Sequence, residues 1–289
     1  MTALKRIVRR WVHAVTVPVA ERAARSYIAG PELADAMLLA RRLQQRGLAC
    51  SICPWDAEDT PAASVAHSYA AARAAVSEER LDCYVSIKAP SIAYERDLLI
   101  QILRASNGRS RLHFDSLGPE TADPTFRLIS EVLPHFPNLS CTLPGCWRRS
   151  TADAEWAVRQ NLAVRVVKGQ WSDPVAPIDM RRGFLEVIDS LAGRARHVAV
   201  ATHDPLLARE ALKALQKTGT SCELELLYGL PLQGAFSVAT EQNVPVRVYI
   251  PYGHGWLPYS IRKALRNPEI LLWLLRDAIG HHSRTIYSN

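Results

Sequence analysis

The chain has no run approaching the roughly eighteen uninterrupted apolar residues that a membrane-spanning helix requires. No signal-peptide apolar core follows the basic residues Lys5, Arg6, Arg9 and Arg10 near its start. The expectation is a soluble, cytoplasmic protein. The stretch from Lys5 to His13 is mildly amphipathic and reads as a solvated leading helix, with peripheral contact at the inner face of the membrane as the alternative. Cysteine is sparse and poorly spaced for metal. Of six, Cys50 and Cys53 have CxxC spacing, but there is no second CxxC and no nearby histidine pair. Zinc and a disulfide framework are set aside in favour of reduced, structural thiols. A Gly-rich phosphate-binding fingerprint is missing after the first strand-like run, which argues against a doubly wound dinucleotide fold. Long linkers, internal repeats and low-complexity tracts are also missing, so nothing signals a second domain.

What is present is enough apolar material for one large core: 48% hydrophobic residues against 22% charged in 289. The net charge of +7 is spread over the N-terminus, Arg148–Arg149, Arg181–Arg182 and the C-terminal third. A dispersed excess favours an anionic small-molecule site over nucleic acid, which is not expected as a partner.

Short apolar or β-branched runs recur at Ala49–Pro54, Cys83–Lys88, Leu112–Asp115, Leu139–Leu143, Ala163–Lys168, His197–Thr202, Cys222–Leu227 and Pro245–Ile250. Helical patterns separate them, at Ala63–Ser77, Ile92–Ala105, Pro124–Leu133, Ala152–Asn161, Met180–Ala192, Pro205–Lys217 and Gly234–Asn243. Buried parallel strands read as continuous apolar runs and need crossover helices, so the alternation predicts an α/β fold, a (β/α)8 TIM-type barrel. Residues 1–46 are expected to form a helical lead-in, with Ala34–Gln45 patterned to pack on the barrel, and 47–289 the barrel itself.

Barrels of this kind place their chemistry at the C-terminal ends of the strands. Those ends carry Lys88, Asp115, Arg165, Lys168, Gly169, Thr202, His203, Glu225 and Tyr249. Beyond the eighth strand, Tyr259, Arg262 and Lys263 fall at positions i, i+3 and i+4, which stack on one helix face as an anion clamp. Taken singly each has a bland reading: an inward Arg165 or Arg247 can simply pair with an inward Glu225 or Glu223, and His203 can be a structural strand-end residue. Convergence on one face is what favours a site.

These residues also carry a resemblance. Val85-Ser86-Ile87-Lys88, Val164-Arg165-Val166-Val167-Lys168-Gly169, Ala201-Thr202-His203-Asp204, Glu223-Leu224-Glu225-Leu226-Leu227-Tyr228-Gly229 and Tyr259-Ser260-Ile261-Arg262-Lys263 resemble, in order and spacing, the blocks of the proline dehydrogenase family, closest to its short monofunctional bacterial form. The likeness runs from Tyr27 to about Arg276. It implies an FAD-dependent oxidation of the C–N bond of proline to the cyclic imine, 1-pyrroline-5-carboxylate, with electrons passing to a quinone-type or membrane-surface acceptor. It also implies that Lys88, Arg262 and Lys263 hold the substrate carboxylate, that Tyr259 packs beside the substrate ring, and that Asp115 and Tyr249 belong to the same catalytic cluster. Arg165, Val167, Lys168, Gly169, Thr202, His203 and Glu225 would line the flavin, with no metal. The chain departs from the family pattern where Lys263 replaces the second of two arginines, Glu225 a flavin-contacting glutamine, Pro144 another glutamine, Arg266 a carboxylate, and Trp171-Ser172 a tyrosine-tryptophan. The departures leave two alternatives, a diverged flavoenzyme acting on another amino-acid-like amine, and a flavin-free binding barrel. Oligomeric state is not legible.

Overall fold

The computed structural model describes residues 27–253 apart from positions 57, 58, 107 and 109. Eight strands, β1 (Ala49–Pro54), β2 (Cys83–Ile87), β3 (Leu112–Phe114), β4 (Leu139–Pro144), β5 (Ala163–Val167), β6 (Val198–Ala201), β7 (Cys222–Leu227) and β8 (Val246–Tyr252), pair in parallel in chain order and close into a barrel, β8 against β1. Helix α1 (Leu33–Gln44) precedes β1. The crossovers are α2 (Ala62–Glu78), α3 (Arg96–Arg104), α4 (Ala122–Val132), α5 (Ser150–Arg159), α6 (Met180–Leu191), α7 (Pro205–Lys217) and α8 (Gln233–Glu241). The (β/α)8 architecture expected from the alternation is what forms.

Two departures from the expected boundaries have local causes. The helix expected over Ile92–Ala105 is split into a 3-10 turn at Ala89–Ile92 and α3, because Ala93 and Tyr94 both take positive φ, 51° and 56°, which no right-handed helix accommodates. Strand β2 stops at Ile87, leaving Lys88 as the residue that caps that turn ahead of Pro90. Elsewhere the start signals hold. Asp204 accepts hydrogen bonds from the backbone N–H groups of Leu206 and Leu207 with Pro205 at the first helical position of α7, whose buried Leu207, Ala208, Ala211, Leu212 and Leu215 form one apolar stripe.

Strand side chains alternate between the barrel's two faces. The outward set, including Ile52, Val85, Ile87, Phe114, Leu143, Val164, Val166, Val200, Leu226 and Val248, is fully buried beneath the helices and makes up the hydrophobic core. The seam between β8 and β1 is covered by α1, which packs on both strands. The inward set is polar: Ser51, Tyr84, Ser86, His113, Ser140, Thr142, Arg165, Glu223, Glu225 and Arg247 are all buried. The same alternation separates Cys50, whose thiol reaches the Ala40 carbonyl of α1, from Cys53, whose thiol faces Asp115 inside the barrel, so the CxxC spacing brings no pair of thiols together. Among the described residues no helix is long and apolar enough to cross a membrane.

One crossover is packed to backbone contact. A Cβ on Gly183 of α6 would overlap the carbonyl oxygen of Gly145 in the turn after β4, and neither group can move as a side chain could. Helix propensity alone favours Ala over Gly by about 1 kcal/mol. We expect the packing to reverse that sign, with Gly183→Ala lowering the thermal midpoint by overpacking worth about 1–3 kcal/mol. A raised midpoint would show that α6 does not seat on this turn.

Candidate active site

Side chains from alternate strands reach the barrel axis in layers. In the upper layer Arg165 of β5 meets Glu225 of β7 through two parallel bonds, Nε to Oε2 at 2.8 Å and Nη2 to Oε1 at 2.6 Å. Its remaining arm, Nη1, reaches Oδ1 of Asp115 at 2.5 Å. One guanidinium thus bridges two carboxylates. Burial opposes the charge on Arg165, and Glu225, Tyr84 and Asp115 overcome it, holding its pKa well above the ordinary value.

Both carboxylates are satisfied from other strands. Glu225 accepts from Ser51 Oγ at 2.7 Å and the Tyr84 hydroxyl at 3.0 Å. Asp115 accepts from Ser86 Oγ at 2.8 Å and from the Tyr249 hydroxyl at 2.9 Å, with the Cys53 thiol 3.8 Å away. Burial, followed by the charge of Asp115, raises Tyr249 well above the usual phenol range, so it stays a hydrogen donor. The Cys53 thiol is pushed up to about 11, mainly by burial, and stays protonated. His113 is held neutral by burial and by Arg165, Arg111 and Arg247, its two ring nitrogens lying 2.8 Å from Ser140 Oγ and 2.7 Å from Thr142 Oγ1.

Above this layer a cavity of about 760 Å³ opens at the C-terminal mouth, within the size range of ligand pockets. Lys88, Asp115, Arg165, Val167, Gly169, His203, Glu225 and Tyr249 line it, so eight of the sequence-nominated positions converge there. Lys88 Nζ stands 5.1 Å over the Trp55 ring and 3.7 Å from Cys53 Sγ; burial raises the pKa of the neighbouring Asp56 and the Lys88 charge opposes that rise, although Lys88 closes no salt bridge among the described residues. Apolar walls come from Val65, Leu227, Leu230 and Trp171. Gly169 takes φ of +98°, a conformation that brings backbone rather than side chain to the wall beside Cys146.

The other nominated residues are placed differently. Lys168 turns to the rim, with Nζ 3.2 Å from Oδ2 of Asp204. The buried Thr202 accepts from the Asp204 backbone N–H. His203 uses both ring nitrogens on backbone, donating from Nδ1 to the Pro231 carbonyl at 3.0 Å and accepting at Nε2 from Leu227 N–H at 3.0 Å, so it offers the cavity a ring face. Pro144 closes β4, and Tyr259, Arg262, Lys263 and Arg266 lie outside the described residues. Sequence reasoning missed Trp55 and Asp56, which follow β1 and line the cavity beside Lys88. Their position directly after a strand end was the available signal.

No protein-family model matches the chain. It is 25% identical over 279 residues to proline dehydrogenase 1 of Bacillus subtilis subsp. natto, covering 89% of this chain and 90% of that protein. It is 23% identical over 211 residues to proline dehydrogenase 2 of Bacillus subtilis strain 168, covering 68% and 69%. Among solved structures it is similar to proline utilization A from Bdellovibrio bacteriovorus inactivated by N-propargylglycine, with a TM-score of 0.74 and 15% identity over 93% of this chain. The Corynebacterium freiburgense protein of the same name gives 0.67 and 18% over 95%. The chain spans about a third of these longer proteins, 34% of each, and the structural likeness concerns the barrel fold.

The bridged guanidinium makes a quantitative demand. Removing one partner leaves a buried charge uncompensated, so Glu225→Ala should cost about 3–5 kcal/mol in urea unfolding. Arg165→Met should cost a similar amount. The double variant should fall short of the sum by about 2 kcal/mol, as expected for directly coupled groups. Additive losses would mean that the two side chains do not pair.

Proposed function

We propose that this chain, a diverged member of the proline dehydrogenase family, binds FAD at the barrel mouth and oxidises the C–N bond of proline to the cyclic imine, passing electrons on to a quinone-type acceptor. The observation that carries the reading is one cavity in which a lysine that closes no salt bridge among the described residues, Lys88, shares the mouth with Asp56 and a hydrogen-bonded Asp115–Tyr249 pair above a charge-balanced Arg165. Homologues named proline dehydrogenase, alike over nine tenths of both chains, supply the substrate class.

The residues present fit a flavin. A three-ring aromatic system needs a broad apolar slot with a few convergent polar groups, and the cavity offers Val167, Leu227, Leu230 and Trp171 as walls, with backbone approach at Gly169. Lys168 and the buried Thr202 lie beside the N-terminus of α7, where Asp204 already pairs with the lysine and caps the helix, so a negative group of the cofactor would share Lys168 with that carboxylate. Bound there, the flavin supplies a two-electron hydride acceptor.

The chain's own residues bind and orient. Lys88, together with Arg262 and Lys263, takes the substrate carboxylate, the arginine as a bidentate fork and the lysines as point charges. Asp115 fixes the Tyr249 phenol by accepting its hydrogen, so the phenol ring stays at the cavity wall. Tyr259 packs beside the substrate ring. Arg165, held by Glu225 and Asp115, would offer a bound flavin a fixed guanidinium, where a mobile arginine would reorganise during the reaction.

Purified protein should carry the visible absorption bands of an oxidised flavin, and anaerobic proline should bleach them. The alternative amine is tested in the same cuvette with N-alkyl and other cyclic amino acids. Bleaching by one of these but not by proline would overturn the substrate, and protein that neither carries nor binds flavin would overturn the reading altogether.

A further inference from the structure

The opposite pole of the barrel has its own cavity, of about 390 Å³, walled by the residues that enter β2, β3, β4, β6 and β8. Four arginines line it, Arg80, Arg111, Arg196 and Arg247, together with His197. Two carboxylates answer them: Asp82, at the rim, and Glu223, on the barrel axis beneath. Both are already engaged. Arg247 Nε donates to Glu223 at 2.9 Å, its Nη2 reaches Asp82 at 3.0 Å, and its Nη1 reaches the Cys50 carbonyl at 2.6 Å. Glu223 also lies 3.3 Å from Arg111 Nη2 and 3.3 Å from His197 Nε2. Burial would raise the Glu223 pKa, but His197 and Arg247 outweigh it and hold the carboxyl below the ordinary range.

Four guanidinium charges against two carboxylates leave an excess of two positive charges inside one concave site. The excess is borne by Arg80, Arg111 and Arg196. The Arg111 guanidinium carbon stands 4.2 Å from the Tyr84 ring centre, and the group makes one charged contact, through Nη2 to Glu223, which leaves its other donors for a ligand. Arg196 reaches a single carbonyl, that of Leu139, at 3.5 Å, and has no carboxylate partner among the described residues. Partial burial, followed by the charge of Arg111, lowers its pKa, as expected where like charges face each other. Arg80 likewise has no ion pair among the described residues. Planar guanidinium forks lining one hollow match the oxygens of a tetrahedral dianion.

We propose that this pole is a second binding site, taking a phosphate-type oxyanion, as free phosphate or as a phosphomonoester, between Arg111 and Arg196 with Arg80 at the rim. It is separate from the mouth: the inner layers of the barrel stand between them. Neither the substrate nor the flavin of the proposed reaction is involved in it, and its failure would leave that reaction standing.

The test uses flavin-loaded protein and measures binding of inorganic phosphate, glycerol phosphate and AMP by calorimetry at matched ionic strength, beside thermal unfolding. Wild type should bind at least one of them, and an anion at about 100 times its Kd should multiply the folded-to-unfolded ratio about 100-fold. Arg196→Gln, at an exposed position, should weaken binding by about tenfold or more, in keeping with loss of a charged hydrogen bond. Tighter binding of an ester than of phosphate would identify the pocket's ligand as an ester, and the reverse order would identify the free anion. Equal affinity in wild type and Arg196→Gln, loss of binding with Lys168→Gln at the mouth instead, or no binding by wild type would each overturn the proposal.

Discussion

The interaction on which the rest depends is the grip of Glu225 and Asp115 on Arg165. A barrel of this size is ordinarily filled by branched apolar side chains, and here the axis holds ions and hydroxyls instead. Such an interior is stable only if every charge is met, because an isolated buried ion costs several kcal/mol. Strand periodicity meets that condition: Arg165 on β5, Glu225 on β7 and Asp115 just beyond β3 point to the same level, and Ser51, Tyr84, Ser86 and Tyr249 fill the remaining lone pairs. A one-residue slip in any of these strands would turn its polar set into the helix layer.

That grip also divides labour at the mouth. Arg165 is the most buried cation of the site, yet its charge is balanced twice over and its donors are occupied. Lys88 stands just after β2 beside the Cys53 thiol, the Trp55 ring and Asp56, and closes no salt bridge among the described residues, so among the described cations of the cavity it is the one that a carboxylate can recruit. At this position a carboxylate suits the arginine better than an amide would, since Glu225 pairs with Arg165 through two charged bonds where an amide can give one acceptor.

The fold was legible because the strands are short runs of suitable length whose outward positions are almost all apolar, and because Asp204-Pro205 marks a helix start. Most boundaries shifted by a residue or two, and the largest shift came where backbone geometry overrode pattern, at Ala93–Tyr94. The pairing of inward arginines with Glu225 and Glu223 was also readable, from their alternation with valine and leucine. What the sequence hid was direction. Strand-end position alone could not tell that Lys168 leans to Asp204, that His203 holds two backbone groups, or that Trp55 and Asp56 turn into the cavity. The excess of arginine at the far pole was equally hidden, since Arg80, Arg111, Arg196 and Arg247 are far apart in the chain and meet only when the barrel closes.

The central claim is that Arg165 is a structural charge and Lys88 a ligand-binding one. The most direct measurement is the affinity of wild type and Lys88→Met for a carboxylate-bearing ring analogue of proline that lacks the oxidisable amine, read by calorimetry or by perturbation of the flavin spectrum. A charge-assisted contact is worth about 1.5–3 kcal/mol, so Lys88→Met should bind the analogue at least about tenfold more weakly while unfolding at the same midpoint as wild type. Unchanged affinity in Lys88→Met would contradict the account and return the carboxylate to another cation.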